Sequence, residues 1–231
     1  MAFHKIFPGV YEEAVGPVNV WLVEDRDGWT LIDTGYAGQE QKILDALQAF
    51  GKKPSDIKRI IVTHTHPDHA GGLATLKKAT GATVYMDPFE ADVLRGKREM
   101  VRSTPSPGLM SLIMYNMFIK NSKAWVPPTE IENEIADGQV LPIGGGLRVI
   151  HAPGHSAGHT AFMLERDGGL LFAVDTCSNM MGLGPSVVYD DHAQGRETLR
   201  KLSKLQFAAV NFGHGKPLVG AHAKKFNEKW K

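Results

Sequence analysis

Thr63-His64-Thr65-His66-Pro67-Asp68-His69-Ala70-Gly71-Gly72 follows directly on the apolar run Ile60-Ile61-Val62 and sets four metal-competent side chains within six residues. Alternate positions of an extended chain point to one side, so His64, His66 and Asp68 converge if the strand continues into the loop. His69, adjacent to Asp68, then points elsewhere and serves a second ion. The spacing therefore predicts two cations rather than one. Imidazole nitrogen and carboxylate oxygen suit zinc well and also accept iron, manganese or cobalt. A polar turn with surface histidines accounts for one lone His, but poorly for four such groups packed behind a buried strand.

Further ligands are expected from isolated His or Asp residues just past later strand ends. His155, in Pro153-Gly154-His155-Ser156-Ala157-Gly158-His159, follows an apolar run at 147–151. Asp175 follows the run 170–174, and His214, in Gly213-His214-Gly215, follows 208–211.

Outward from these positions, short apolar runs bounded by turn residues read as strands at 18–23, 29–32, 57–62 and 82–86, then at 139–141, 147–151, 160–165, 170–174 and 208–211. Asp167-Gly168-Gly169 makes a hairpin turn between two of them. Residues 39–50 carry Ile43, Leu44, Leu47 and Phe50 at helical spacing before Gly51, 73–79 form a short helix stopped by Gly81, and 192–205 form another; a terminal helix closes the chain. Strands dominate each half and helices follow. The fold class expected is α/β, a four-layer αββα arrangement of two mixed sheets packed face to face, in one domain over 1–231.

One segment interrupts this regularity. Prolines 105, 107, 127 and 128 bracket a Met-rich insert at about 103–128 with Met110, Ile113, Met114, Met117 and Phe118 at helical spacing. It reads as a lid or apolar wall for an acyl chain, or as a core helix or contact with a second copy in a homodimer.

Composition narrows the function. Apolar residues make up 42% and charged residues 22%, ordinary values for a globular protein, and the net charge is +1 with no basic block, so nucleic acid is not an expected partner. Lys97, Arg98 and Arg102, interrupted by Glu99, read as a solvated face. No run approaches the roughly 18 apolar residues of a spanning helix, so no membrane partner is expected. The single cysteine, Cys177, precludes an internal disulfide framework and reads as a buried apolar residue. With no secretory leader in the first ten residues, a cytoplasmic location is expected.

Taken in order, the Asp33-Thr34-Gly35 turn, the H-x-H-x-D-H segment, the Pro-Gly-His turn, the strand-end Asp175 and the final Gly213-His214 resemble the metallo-β-lactamase superfamily of hydrolases over nearly the whole chain. The resemblance implies an αβ/βα sandwich. It implies that His64, His66 and His155 bind a first metal, that Asp68, His69 and His214 bind a second, and that Asp175 bridges them. Asp33 is then a carboxylate supporting the histidine loop, or alternatively a cap for the helix beginning at 39. His159 is expected near the metals without binding them. His151 reads as a strand residue, and His4, His192 and His222 lack motif support.

Two adjacent cations lower the pKa of a shared water from about 15.7 toward roughly 7. The expected reaction is attack of a metal-bridging hydroxide on a carbonyl, with Asp68 orienting the nucleophile or relaying its proton. A lactone or carboxylic ester is the substrate expected first, with a thioester, as in the similar glyoxalase II enzymes, as the alternative. Asp175 stands where true β-lactamases of this superfamily carry Cys or Ser, leaving β-lactams as a side activity. The similar acyl-homoserine lactonases carry a tyrosine three residues past the bridging aspartate; Ser178 stands there instead, and Tyr36 or Tyr189 are the substitutes considered. An iron-dependent sulfur oxygenase is the non-hydrolase alternative, disfavoured by the intact Asp68, His69 and His214.

Overall fold

The run Val20-Trp21-Leu22-Val23 is apolar at successive positions, and the fold buries both of its faces. In the computed structural model, which describes residues 2–122 and 125–231, Val20 and Leu22 pack into one core while Trp21 and Val23 pack into another. A strand covered on both sides has no reason to alternate with polar residues.

That strand belongs to a first sheet. β1 (His4–Phe7), β2 (Val10–Val15), β3 (Val18–Asp25) and β4 (Gly28–Ile32) form an antiparallel meander. Helix α1 (Glu40–Ala49) crosses to β5 (Ile57–Ile61), parallel to β4; α2 (Pro67–Ala70) and α3 (Leu73–Thr80) lead to β6 (Thr83–Met86), parallel to β5. After α4 (Pro88–Leu94), β7 (Thr104–Pro105) and α5 (Leu109–Met114), the short β8 (Asn133–Glu134) pairs with β6.

The second sheet begins with β9 (Val140–Leu141), β10 (Leu147–His151), β11 (Thr160–Leu164) and β12 (Leu170–Val174), all antiparallel. Beyond β13 (Cys177–Ser178), β14 (Gly184–Pro185), β15 (Val188–Tyr189) and α6 (His192–Leu202), β16 (Ala209–Phe212) returns parallel to β12; β17 (Leu218–Val219) and α7 (Lys224–Lys229) end the chain. Among the described residues the first sheet has seven strands and the second six.

Three cores mark the interfaces between four layers. Ile43 and Leu47 of α1, Leu73 and Leu76 of α3 and Leu94 of α4 cover the outer face of the first sheet. Ile32 and Ile61 meet Val149, Phe162 and Phe172 between the sheets. Leu199 and Leu202 of α6 and Phe226 of α7 cover Leu171, Ala173 and Val210 on the far side. The protein is the αβ/βα sandwich expected.

Three local differences stand out. The hairpin of β1 and β2 was not anticipated. Helix α6 stops at Leu202, three residues before 205. The insert does form a helix, α5 continued by a π-helical stretch at Tyr115–Ile119; that helix buries none of its own residues, so it is not a core helix. No helix among the described residues is long and apolar enough to cross a membrane.

Candidate metal centre

Strands β4, β5, β10, β12 and β16 all end at one edge of the sandwich. Asp33 follows β4, the histidine loop follows β5, His155 lies beyond β10, Asp175 follows β12, and His214 lies just past β16. The strand order, with parallel pairs β4–β5 and β12–β16, brings these five chain segments together.

Within the histidine loop the chain does not stay extended. His66 is the last extended residue, and Pro67 opens the helical turn α2 that carries Asp68 and His69. Proline is pre-organised for the first position of a helix, where its missing N–H is not needed. The turn removes Asp68 from the side shared by His64 and His66. Three groups result, each with ligand atoms within 4.8 Å of one another: His64, His66 and His155; His64, His69 and Asp175; Asp68, His69 and His214. Asp68 thus stands with His69 and His214, not with His64 and His66 as simple alternation predicts.

Asp175 lies between the groups. Its Oδ2 is 3.4 Å from His155 Nε2 and 3.3 Å from His214 Nε2, and its Oδ1 is 3.5 Å from His69 Nε2. Val174 before it holds φ at +48°, an outlier for a β-branched residue. Gly213 makes room for it: a Cβ there would overlap Asp175 Oδ1 and stand 2.8 Å from His69 Cε1.

The other ring nitrogens are already committed. His69 Nδ1–H donates to Asp33 Oδ2 at 2.8 Å, His155 Nδ1–H to the Val188 carbonyl at 2.9 Å, and His214 Nδ1–H to the Pro17 carbonyl at 2.8 Å. The Thr63 hydroxyl donates to Asp33 Oδ2 at 3.0 Å, so its oxygen accepts from His64 Nδ1–H, also at 3.0 Å. Each acceptor fixes the tautomer and turns the Nε2 lone pair inward. Nε2 of His64, His69 and His155 and Oδ1 of Asp175 are buried and find no hydrogen-bond partner among the described residues. Buried polar atoms are rarely left unpaired without cause, and these four are cation-binding donors aimed into one space. The residues present fit metal ions.

Charge follows the same division. Burial, then the neighbouring imidazoles His69, His66 and His155, holds His64 well below its ordinary pKa; burial, then His66, does so for His155. At His214 burial opposes protonation, but Asp175 and Asp68 more than offset it and push the imidazole up to about 10. Burial likewise opposes ionisation of Asp68, yet His69 and His214 hold it below the usual carboxylate range. His214 and Asp68 keep 16% and 17% of their side chains exposed, whereas His69 keeps none. The site therefore opens to solvent on the Asp68–His214 side.

The residues around the centre separate by contact. Asp33, fully buried at φ +61°, also accepts the Thr63 amide at 2.9 Å, and α1 has no side-chain cap, so Asp33 supports the histidine loop rather than the helix. His159 Nε2 accepts the Asp175 amide at 3.3 Å, and burial pushes its pKa down to about 3. His151 ends β10 with Nε2 3.1 Å from the Ala157 carbonyl. Cys177 is buried in the outer core, Ser178 Oγ donates to the His214 carbonyl at 3.3 Å, and the Tyr189 hydroxyl is spent on the Thr176 carbonyl at 2.6 Å. Tyr36 keeps a part-exposed ring, and burial, then the Asp68 and Asp175 charges, raises its phenol.

Two groups escaped the sequence reading. Glu90 is buried and hydrogen-bonded to both the histidine loop and the Pro-Gly-His turn. Ser103, at the base of the insert, donates to Asp190 Oδ1 at 2.7 Å and lies 3.4 Å from His66 Nε2. Pairing of β7 with β15 fixes that base beside the centre.

The fold and the convergent His and Asp side chains define an αβ/βα sandwich with a candidate metal centre at one edge. The chain belongs to the metallo-beta-lactamase superfamily, whose family profile, Lactamase_B, matches residues 14–214. A hydroxyacylglutathione hydrolase of Albidiferax ferrireducens is 33% identical over 159 residues, 68% of this chain and 46% of that protein. An atrochrysone carboxyl ACP thioesterase of Emericella nidulans is 28% identical over 208 residues, 89% of this chain and 54% of its own length. The chain thus spans about half the length of these two curated relatives. Among solved structures, a HARLDQ-motif mutant of a metallo-beta-lactamase from Cronobacter sakazakii superposes with a TM-score of 0.72 at 26% identity, covering 93% of this chain and 80% of that one.

Proposed function

We propose that the chain is a dinuclear zinc hydrolase of carboxylic acid derivatives: lactones, esters or thioesters. His64, His66 and His155 would hold one cation and Asp68, His69 and His214 the other, with Asp175 shared between them. The reading rests on one observation: the orphaned Nε2 atoms of His64, His69 and His155 converge with Asp175 Oδ1, their Nδ1 sides already committed. When bound, the cations supply Lewis acidity that activates water and polarises a carbonyl.

The chain's own residues do the rest. Asp68, ionised and part-exposed at the open side, orients the attacking water, takes its proton on the carboxylate and returns it to the leaving group. Tyr36, part-exposed and with its phenol raised by burial and by the Asp68 and Asp175 charges, would keep its proton and is the candidate hydrogen-bond donor to the substrate. Residues 1–231 act as one unit; 123–124 lie outside the described residues, and the described part of the insert at 103–128, residues 103–122 and 125–128, is a lid over the centre. Its exposed Leu109, Met110, Met117 and Phe118 form the apolar wall for an acyl chain, above a base held beside His66. The thioester arm gains weight from two relatives, a hydroxyacylglutathione hydrolase and an acyl-carrier-protein thioesterase.

The test pairs two assays on zinc-loaded chain with Asp68→Ala as control. Proton release from a long-chain acyl-homoserine lactone reads the lactone arm, and thiol release from an acyl-glutathione thioester reads the other. Hydrolysis of either by the wild type, lost in a variant that still binds the first cation, supports the mechanism. Full activity of Asp68→Ala overturns it.

A further inference from the structure

Glu90 is a buried carboxylate that the proposed reaction does not use. It lies in the first turn of α4, whose amino end is capped by Asp87 through the Phe89 amide. There its contacts leave the helix altogether. Oε2 accepts the Thr65 amide at 2.9 Å and the Thr65 hydroxyl at 2.5 Å; Oε1 accepts the Ser156 hydroxyl at 2.6 Å and the Gly158 amide at 3.0 Å. Thr65 stands between His64 and His66, and Ser156 follows His155. One side chain therefore joins the two loops that carry the three-histidine group.

The approach is tight enough to constrain the neighbouring sequence. A Cβ at Gly158 would stand 2.7 Å from Glu90 Cγ and overlap the Asp87 carboxylate, so only glycine lets the turn reach the acid. Asp33 is the counterpart on the other side: it bonds Thr63 and His69, and Glu90 bonds neither. Partners that orient ligands from behind typically account for 10–100-fold in metal affinity.

We propose that Glu90 is the positioning residue of the His64–His66–His155 group: by joining the two loops that carry these three imidazoles it sets their mutual placement before any cation arrives, while Asp33 holds His69 directly and touches this group only through the Thr63 hydroxyl at His64 Nδ1. The inference rests on the dinuclear reading above. Glu90→Gln is the informative change. The amide is isosteric and keeps one acceptor oxygen, but it turns an N–H donor toward either the Thr65 pair or the Ser156–Gly158 pair, breaking the link between the loops.

The experiment titrates metal-free full-length chain with zinc against a competing chelator, and with cobalt followed by its visible absorption. Wild type, Glu90→Gln, Ser156→Ala and Asp33→Asn are compared. The expected result for Glu90→Gln is a fall of about 10–100-fold in affinity for one cation per chain, with the other unchanged and the cobalt spectrum of the three-histidine group altered. Ser156→Ala, which keeps the carboxylate and loses one bond, should weaken the same cation by a smaller factor, while Asp33→Asn should weaken chiefly the other. Wild-type affinity for both cations in Glu90→Gln, or equal weakening of both, overturns the assignment. Should Glu90→Gln fail to fold, an unchanged Ser156→Ala titration overturns it as well. A wild-type chain that binds no cation overturns the dinuclear reading itself, an outcome distinct from two cations bound equally by wild type and variants.

Discussion

His69 Nδ1 lies 2.8 Å from Asp33 Oδ2, and the same carboxylate receives the amide and the hydroxyl of Thr63. One acid thus orients His69 directly and His64 through the Thr63 hydroxyl. Burial pushes its carboxyl pKa up while the His69 charge draws it down. The cost of holding a carboxylate there is offset only if its donors stay in place.

Replacing Asp33 by Asn tests that dependence. The amide must put its NH2 where one carboxylate oxygen stood, so either the Thr63 amide loses its acceptor at the Oδ1 position or the Thr63 hydroxyl and His69 Nδ1 both lose theirs at Oδ2, and in the second case His69 is free to take the wrong tautomer. The expected outcome is hydrolysis reduced about 10–100-fold, with the larger loss of bound metal at the Asp68–His69–His214 group. Metal content after dialysis against buffered zinc measures it; two ions retained at full activity would remove Asp33 from the centre's support.

His155 and His159 lie in one turn, and both are buried, with ring centroids 5.7 Å apart. Their connections differ. His155 Nε2 is unpartnered and faces Asp175 Oδ2 at 3.4 Å, whereas His159 Nε2 accepts the Asp175 amide and belongs to none of the three ligand groups. His155→Ala should therefore abolish binding of one cation and nearly all activity, and His159→Ala should cost about 10-fold. Metal stoichiometry and turnover of the two variants decide it. The reverse ranking would place the wrong histidine in the centre.

The parts of the fold that rest on periodicity were legible in the sequence. Strands buried on both faces, such as 18–23 and 170–174, announce themselves as unbroken apolar runs, and α1 as a stripe of Ile43, Leu44 and Leu47. The hairpin of β1 and β2 was not legible because Glu12 and Glu13 are buried inside it, which breaks the pattern a half-buried strand shows. In the site, every residue the motifs named stands at the shared edge, because each strand ends there. The grouping of Asp68 with His69 and His214 was legible from the family resemblance but not from alternation, which presumes an extended chain; Pro67, a helix-opening residue, was the local signal against it. Glu90 carried no signal at all. A glutamate in the first turn of a helix is commonplace, and its partners Thr65, Ser156 and Gly158 are 25, 66 and 68 residues away.

Glu12 carries a pH dependence separate from the metal centre. Its side chain, 4% exposed overall as a residue, accepts the Trp21 indole N–H at 2.8 Å. Burial raises its carboxyl from 4.5 to about 7, with the Trp21 bond acting the other way. Below pH 4.5 both folded and unfolded chains carry the proton. Between that value and about 7 the unfolded chain ionises and the folded one does not, so stability falls as pH rises through this window and levels off above it. At about 1.4 kcal/mol per pKa unit, the full loss is on the order of 3 kcal/mol. Glu12→Gln keeps an oxygen for Trp21 and cannot ionise. Melting temperatures at pH 4 and pH 8, with chelator present so that metal contributes equally, should show the variant matching the wild type at pH 4. At pH 8 it should exceed the wild type by roughly 6–12 °C, given about 2–4 °C per kcal/mol for a chain of this size. Parallel profiles for the two proteins would mean that the fold ionises Glu12 at no cost, and that the indole bond alone compensates its burial.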